Sequence, residues 1–185
     1  YLKLGFWHIT DWAGYDHMLF LLALCGAYSF AEWRKVALLV TAFTLGHSLT
    51  LALTALDVIR VNANLIEFLI PLTIFLTALG TIFYSKSTTK RFWMLSYVLA
   101  LAFGLIHGMG FSNYFRSLLG NAKDVITPLL YFNIGVEIGQ LAIVTAILLI
   151  GWVMRGPLRV PPNWWRIGIS VMAGVIAIWL MVARL

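Results

Sequence analysis

Histidine is the residue type whose placement in this chain gives the clearest chemical signal. All four histidines fall in short polar signatures, and at least three of these lie inside apolar runs long enough to cross a bilayer. The signatures read His8-Ile-Thr-Asp11, Gly14-Tyr-Asp16-His17, Thr44-Leu-Gly-His47-Ser48 and Gly104-Leu-Ile-His107-Gly108. An ionisable side chain inside hydrocarbon is costly and normally faces the protein interior or a water-filled cavity. The four histidines therefore indicate a buried polar site.

Metal binding is the chemistry that these residue types favour. Imidazole is the commonest protein ligand for zinc, copper and nickel, and carboxylates complete mixed nitrogen and oxygen sites. We predict that the metal ligands are His17, His47 and His107, with Asp16 either coordinating the ion or orienting a histidine ring. Consecutive residues on a regular helix point about 100° apart, so Asp16 and His17 need not both reach one ion.

Other polar residues are expected to support this site. His8 and Asp11 are spaced i, i+3, so on a helix they would share a face and form an access site or a second metal site. The residues Asn133, Glu137 and Gln140 are spaced i, i+4, i+7 and would form one helical stripe, while Glu67 stands near the start of another apolar run. Glu137 is expected to act as a ligand, a proton carrier or a counter-charge to a bound cation.

The elements that position these residues are predicted to be transmembrane helices. The chain has 185 residues, of which 62% are hydrophobic and 11% charged, and its mean hydropathy is +0.92, far from the usage of soluble domains. We predict an all-α polytopic membrane protein, a single transmembrane domain built as a six-helix bundle. The six predicted spans cover residues 14–30, 36–56, 65–84, 92–111, 127–154 and 167–183. A short interfacial helix is predicted at 114–119, within the break after the fourth span.

Basic residues orient the predicted bundle. Eight of the 13 lysines and arginines fall on one side and five on the other, which favours loops one, three and five in the cytoplasm and both termini outside. This orientation places His17, His47, His107, Glu67 and Glu137 in the outer half of the membrane. The net charge of +6 resides mostly in loops, so it does not indicate nucleic acid binding. The numbering opens at Tyr1, which is compatible with a removed upstream signal peptide or domain.

Two helices also share a pattern. Ala42-Phe-Thr-Leu-Gly-His47 and Ala102-Phe-Gly-Leu-Ile-His107 both follow Ala-Phe-x-Leu-x-His, on helices predicted to point the same way. This is compatible with a parallel repeat whose interface holds the site, as in many transporters. Chance is the alternative explanation, because the pattern covers only six positions.

Four ordered motifs resemble the HupE/UreJ family of bacterial membrane proteins. They are Gly14-Tyr-Asp-His-Met-Leu-Phe20, Thr41-Ala-Phe-Thr-Leu-Gly-His-Ser-Leu-Thr50, Phe103-Gly-Leu-Ile-His-Gly-Met-Gly-Phe111 and Phe132-Asn-Ile-Gly-Val-Glu-Ile-Gly-Gln-Leu141. The resemblance extends from about Gly5 to Leu149 and implies a six-helix bundle in the bacterial inner membrane, with a His and Asp metal signature. It further implies nickel or cobalt uptake that serves hydrogenase and urease maturation. The spacing His8-x7-Asp16-His17 is longer than the His-x4-Asp-His signature of nickel and cobalt permeases.

Two functions compete at this stage. The first is a metal-ion permease for divalent nickel or cobalt, in which His17, Asp16, His47 and His107 capture the ion and Glu137 neutralises it or exchanges protons. The second is an intramembrane zinc-dependent hydrolase, in which the same histidines hold zinc and Glu137 or Asp16 is the general base. A haem protein with His47 and His107 as axial ligands is a minor third hypothesis. The expected partners are the metal ion and the lipid bilayer, and a soluble metallochaperone and a homo-oligomer are both compatible with the sequence.

Overall fold

The fold is built from helices, as predicted. A computed structural model describes residues 1–83, 90–120 and 124–184, and this part of the chain contains no β-strand. Its seven α-helices are α1 (Leu2–Thr10), α2 (Tyr15–Cys25), α3 (Trp33–Ala55), α4 (Ala63–Ile82), α5 (Lys90–Leu119), α6 (Ile126–Arg155) and α7 (Pro162–Ala183). Short 3₁₀ turns at Trp12–Gly14 and Phe30–Glu32 precede α2 and α3.

Five of these helices are long and apolar enough to cross a membrane, namely α3, α4, α5, α6 and α7. They coincide with the second to the sixth predicted spans. The first predicted span, 14–30, instead contains α2, whose 11 residues measure only about 16 Å at 1.5 Å per residue, against roughly 30 Å of hydrocarbon. The count of six spanning helices is therefore not reproduced by helix length alone.

Two helix boundaries differ from the prediction. The predicted break and separate helix at 114–119 are wrong, because α5 continues to Leu119 and ends at Gly120, whose φ of +52° suits a glycine. No proline and no other glycine lies between Gly110 and that point to interrupt the helix. Helix α7 begins at Pro162, five residues earlier than predicted, since proline is well tolerated at the first helical position. The predicted end of the third span at residue 84 lies outside the described residues.

Helices α3 and α5 form a close helix pair near the histidines. A Cβ atom built on Gly104 would overlap the carbonyl oxygen of Phe43, and one built on Gly108 would overlap that of His47. The Thr50 hydroxyl donates to the carbonyl oxygen of Leu105 at 2.8 Å. Phe43 contacts Gly104 and His47 contacts Gly108, so the residue numbers of the contacting pairs increase together and α3 and α5 run parallel. The glycines thus allow backbone contact between two helices, as small residues do in membrane proteins.

Helix α1 packs on α6 in the same way. Cβ atoms built on Gly5 and Gly135 would overlap the carbonyl oxygens of Phe132 and Leu2, respectively, and Gly139 faces Phe6. The nine-residue helix α1 is too short to be stable in isolation. Its position is therefore set by this glycine-mediated contact with α6.

The first and the last described residues lie at the same end of the helix bundle. The Tyr1 ring lies 6.3 Å from that of Phe115, and Arg184 pairs with Asp16. At the same end of α3 and α5, Asp57 accepts hydrogen bonds from Arg60 and Arg116. These guanidinium groups lower the pKa of the exposed Asp57 carboxyl to about 2. We call this end the vestibule end.

Candidate metal centre

A break in the helical path brings two histidines together. On a continuous helix His8 and His17 would lie about 13 Å apart along the axis. Instead, α1 ends at Asp11, whose ψ of 133° is extended, and the chain passes through a 3₁₀ turn before α2 starts. The two imidazole rings then lie 4.9 Å apart between centroids. Broken helices of this kind often form ion sites in transporters.

His47 joins this pair from α3. One ring nitrogen from each of His8, His17 and His47 lies within 4.8 Å of the others, which is a spacing that a single metal ion can bridge. His47 is fully buried and His17 is 7% exposed. We call His8, His17 and His47 the three-histidine group.

His107 stands next to the group, with its ring centroid 5.2 Å from that of His17. Thr73 Oγ1 lies 2.7 Å from the Ile70 carbonyl oxygen and 3.1 Å from His107 Nε2. Since a hydroxyl has one hydrogen and a carbonyl oxygen can only accept, Thr73 donates to Ile70 and His107 Nε2 donates to Thr73. This network assigns the tautomer of His107 and leaves the lone pair on Nδ1, which is buried and makes no hydrogen bond.

The ring nitrogens of the group are also buried without hydrogen bonds. This holds for Nε2 of His8 and for both ring nitrogens of His17 and of His47. Asn133 approaches His47 without reaching hydrogen-bond geometry. Buried polar atoms normally have a partner. A cation held by the nitrogen lone pairs would supply one, so the donor set fits a borderline metal ion.

A cavity of about 360 Å³ leads to the histidines from the vestibule end. Three of the four histidines line it, and so do Asp16, Glu67 and Arg184. Arg184 Nη2 donates to Asp16 Oδ2 at 3.0 Å, and its Nη1 donates to the Glu67 carbonyl oxygen at 3.1 Å. The other carboxylate oxygen of Asp16 is buried without a hydrogen bond. Asp16 thus faces the cavity with one oxygen paired to an arginine.

The residues of the predicted stripe on α6 lie in two environments, one beside His47 and one beside threonines of α3. Only Asn133 stands beside a histidine. Glu137 Oε1 lies 2.6 Å from the Thr41 hydroxyl, and Gln140 Oε1 lies 2.7 Å from the Thr44 hydroxyl. Along α3 these threonines precede His47 by six and three residues, or about 9 Å and 4.5 Å. Polar pairs therefore continue from the histidines toward the opposite end of the bundle.

The two remaining predicted residues take different places. Glu67 is exposed at the cavity mouth, where its backbone carbonyl is the atom bonded to Arg184. Asp11 is the exposed residue that ends α1. His8 and Asp11 are thus separated by the end of the helix, and only His8 reaches the cluster.

Sequence reasoning missed Thr73 and Arg184. Thr73 is a hydroxyl in an apolar helix, and its contact with His107 spans 34 positions. Arg184 follows the last helix and reaches a carboxylate 168 positions away. Neither contact is signalled by a pattern in the nearby sequence. The predicted topology places only Arg184 and Glu67 on the same outer side of the membrane.

Replacing Arg184 by glutamine is expected to increase the affinity of the site for divalent cations by about tenfold, or roughly 1.4 kcal/mol. The change removes a positive charge from the cavity and frees Asp16 Oδ2 to face the ion. Metal titration of the purified protein measures the effect. Arg116→Gln is the matched control, because its partner Asp57 does not line the cavity. Equal affinities in the Arg184 variant and wild type would contradict the assigned role.

The family comparison covers all these residues. A family model described as HupE / UreJ protein matches residues 1–184. Neither a curated protein nor a solved structure matches the chain. The match includes all four histidines, both cavity carboxylates and Arg184, and it extends beyond the four motifs on which the sequence resemblance rested. The chain therefore belongs to the HupE/UreJ family of proteins.

Proposed function

We propose that the protein is a membrane permease for a divalent metal ion, most directly nickel or cobalt taken up from outside the cell. The observation that carries the proposal is the three-histidine group, in which one ring nitrogen from each histidine lies within 4.8 Å of the others beside an open cavity. The HupE/UreJ family is associated with nickel and cobalt transport. Imidazole nitrogens suit both ions.

The ligands of the captured ion are proposed to be His17 and His47 together with His8, and His107 through Nδ1. Asp16 contributes a negative charge in the cavity and becomes a ligand once it leaves Arg184. Both cation and carboxylate lose hydration here, so their attraction is stronger than at the protein surface. His8 thereby moves from the separate access site predicted from sequence to the centre itself.

Glu137 is proposed to carry a proton in exchange for the ion. The Thr41 hydroxyl lies 3.1 Å from the Ala37 carbonyl oxygen as well as 2.6 Å from Glu137 Oε1. If its one hydrogen goes to Ala37, the short contact needs a hydrogen on Glu137, which a neutral carboxylic acid provides. A neutral carboxyl group is also the less costly form in hydrocarbon.

The proposed setting is the bacterial inner membrane, with both termini outside and the vestibule end facing outward. The five long apolar helices and the family support a multi-pass membrane protein. The short helices α1 and α2 together are proposed to take the place of the first predicted span. Loops one, three and five hold most of the basic residues, which favours the cytoplasm for the opposite end.

Reconstituted vesicles test the permease directly. Wild-type protein is expected to carry nickel or cobalt to a dye inside the vesicles. Uptake is expected to increase when the vesicle interior is more acidic than the outside, so that protons leave as the ion enters. Glu137→Gln is expected to retain ion binding and to transport at about a tenth of the wild-type rate, since it cannot release a proton. Thr145→Val, which also removes a polar group from α6, is the control. Uptake no faster than in protein-free vesicles would overturn the proposal.

A zinc-dependent hydrolase is the second candidate. The compact three-histidine group favours it, because three protein ligands and an open position are the usual set for catalytic zinc. Glu137 or Asp16 would then be the general base. Zinc that is near-stoichiometric and survives chelation, with turnover lost but metal retained in Glu137→Gln, would support the enzyme. Weakly held and exchangeable nickel or cobalt would support the permease.

A further inference from the structure

A second polar cavity lies at the end of the bundle opposite the vestibule. Its volume is about 710 Å³, and it lies between the 3₁₀ turn before α3, the end of α6 and the start of α7. Its charged lining residues are Glu32, Arg155 and Arg166. A cavity of this size accommodates a small ligand.

Arg155 is held in place as a cation. Its Nε donates to the Gly151 carbonyl oxygen at 2.9 Å, and its Nη2 donates to that of Tyr28 at 3.1 Å. These bonds use two of the five N–H groups of the guanidinium. Within the described part of the chain, no carboxylate forms a salt bridge with Arg155. The group is therefore oriented by neutral carbonyls, and no carboxylate among the described residues pairs with its charge.

Among the described residues that line the cavity, the carboxylate of Glu32 is already neutralised. Lys35 donates to Glu32 Oε1 at 3.0 Å, and both the backbone N–H and the hydroxyl of Ser29 donate to Oε2. The lining thus keeps the positive charge of Arg155, and the cationic Arg166 lines the same cavity. The cavity also meets the positive end of the α7 dipole at Pro162.

We propose that this cavity binds the phosphate of an anionic phospholipid headgroup. Its position at the end of the apolar helices places it at the depth of lipid headgroups, and Trp152 lines it as aromatic residues do at that level. Basic pockets between transmembrane helices recognise such headgroups through their charge. The inference concerns lipid binding only and stands apart from the permease function.

The test measures lipid binding in detergent. Phosphatidylglycerol is expected to raise the unfolding temperature and to remain bound in native mass spectrometry, whereas phosphatidylcholine is not. Arg155→Gln and Arg166→Gln are each expected to weaken phosphatidylglycerol binding about fivefold. Arg34→Gln is the matched control, because Arg34 lies at the same end, over the Trp33 ring and outside the cavity.

Three results would overturn the proposal. They are equal binding of the two lipids, an equal loss in Arg34→Gln, and full protection by inorganic phosphate alone, which would indicate a small-anion site. If Arg155→Gln does not fold because it loses the bond to Tyr28, Arg166→Gln still decides the outcome. Normal ion uptake in these variants is expected, so a failure here is distinguishable from a failure of the permease.

Discussion

His47→Ala is expected to lower the affinity for divalent metal ions by about a hundredfold or more. His47 is fully buried, and it belongs to the group whose ring nitrogens lie within 4.8 Å of one another. His17→Ala is expected to have the same effect. His107→Ala should cause a smaller loss, because His107 lies outside that group and is anchored to Thr73. Elemental analysis and competition with nickel, cobalt and zinc give the affinities.

This series separates two coordination sets. Equal losses for His47→Ala and His107→Ala would indicate four equivalent ligands, a smaller loss for His107→Ala indicates that His107 is a weaker fourth ligand, and no loss would indicate three ligands. Thr73→Val is expected to weaken binding only as far as His107→Ala does, since it acts through the His107 ring. Ser170→Ala is the control, because Ser170 is a buried polar residue on α7 outside the centre. Unchanged binding in His17→Ala and His47→Ala would refute the assigned centre.

Gly104→Ala is expected to destabilise the protein by about 3 kcal/mol or more, because overpacking of a close interface forces the backbones apart. Its new Cβ would overlap the Phe43 carbonyl oxygen on α3, which cannot rotate away as a side chain can. Since α3 carries His47 and α5 carries His107, metal binding should weaken as well. Thermal unfolding in detergent, with and without nickel, measures both effects.

Two glycines in the same fold are matched controls. A Cβ on Gly80 or on Gly168 would meet no atom within 4 Å. Alanine at these positions is expected to be neutral or to stabilise by up to about 1 kcal/mol, because glycine is a poor helix former. If Gly104→Ala unfolds at the same temperature as Gly80→Ala, the backbone contact between α3 and α5 does not hold the bundle together.

The long helices were predictable because their signal is local. Each of the five depends on a run of apolar residues, and that run is read without knowledge of any partner. The first predicted span is not reproduced by one long helix, for the opposite reason. Its apolar residues continue across Gly26, yet α2 ends at Cys25. The turn before α2 follows α1, which packs on α6, a helix more than 100 positions away in the sequence.

The site was partly predictable on the same grounds. His17, His47 and His107 share a depth in the predicted bundle, and the structure brings their rings close together. His8 was assigned to an access site or a second metal site because its i, i+3 spacing pairs it with Asp11 on a helical face. Arg184 and Thr73 reach the site through contacts far apart in sequence, and no spacing rule predicts a hydrogen bond between distant helices.

The proposed ligands of the centre come from four separate segments, and His8 and His107 stand 99 positions apart. An ion held by them is a removable cross-link that closes loops of the chain. By linkage, an ion that binds only the folded protein stabilises it by about 2.7 kcal/mol at a hundred times its dissociation constant. Release of the ion is therefore expected to loosen α1, α2, α3 and α5 relative to one another, so that ion binding and rigidity would change together.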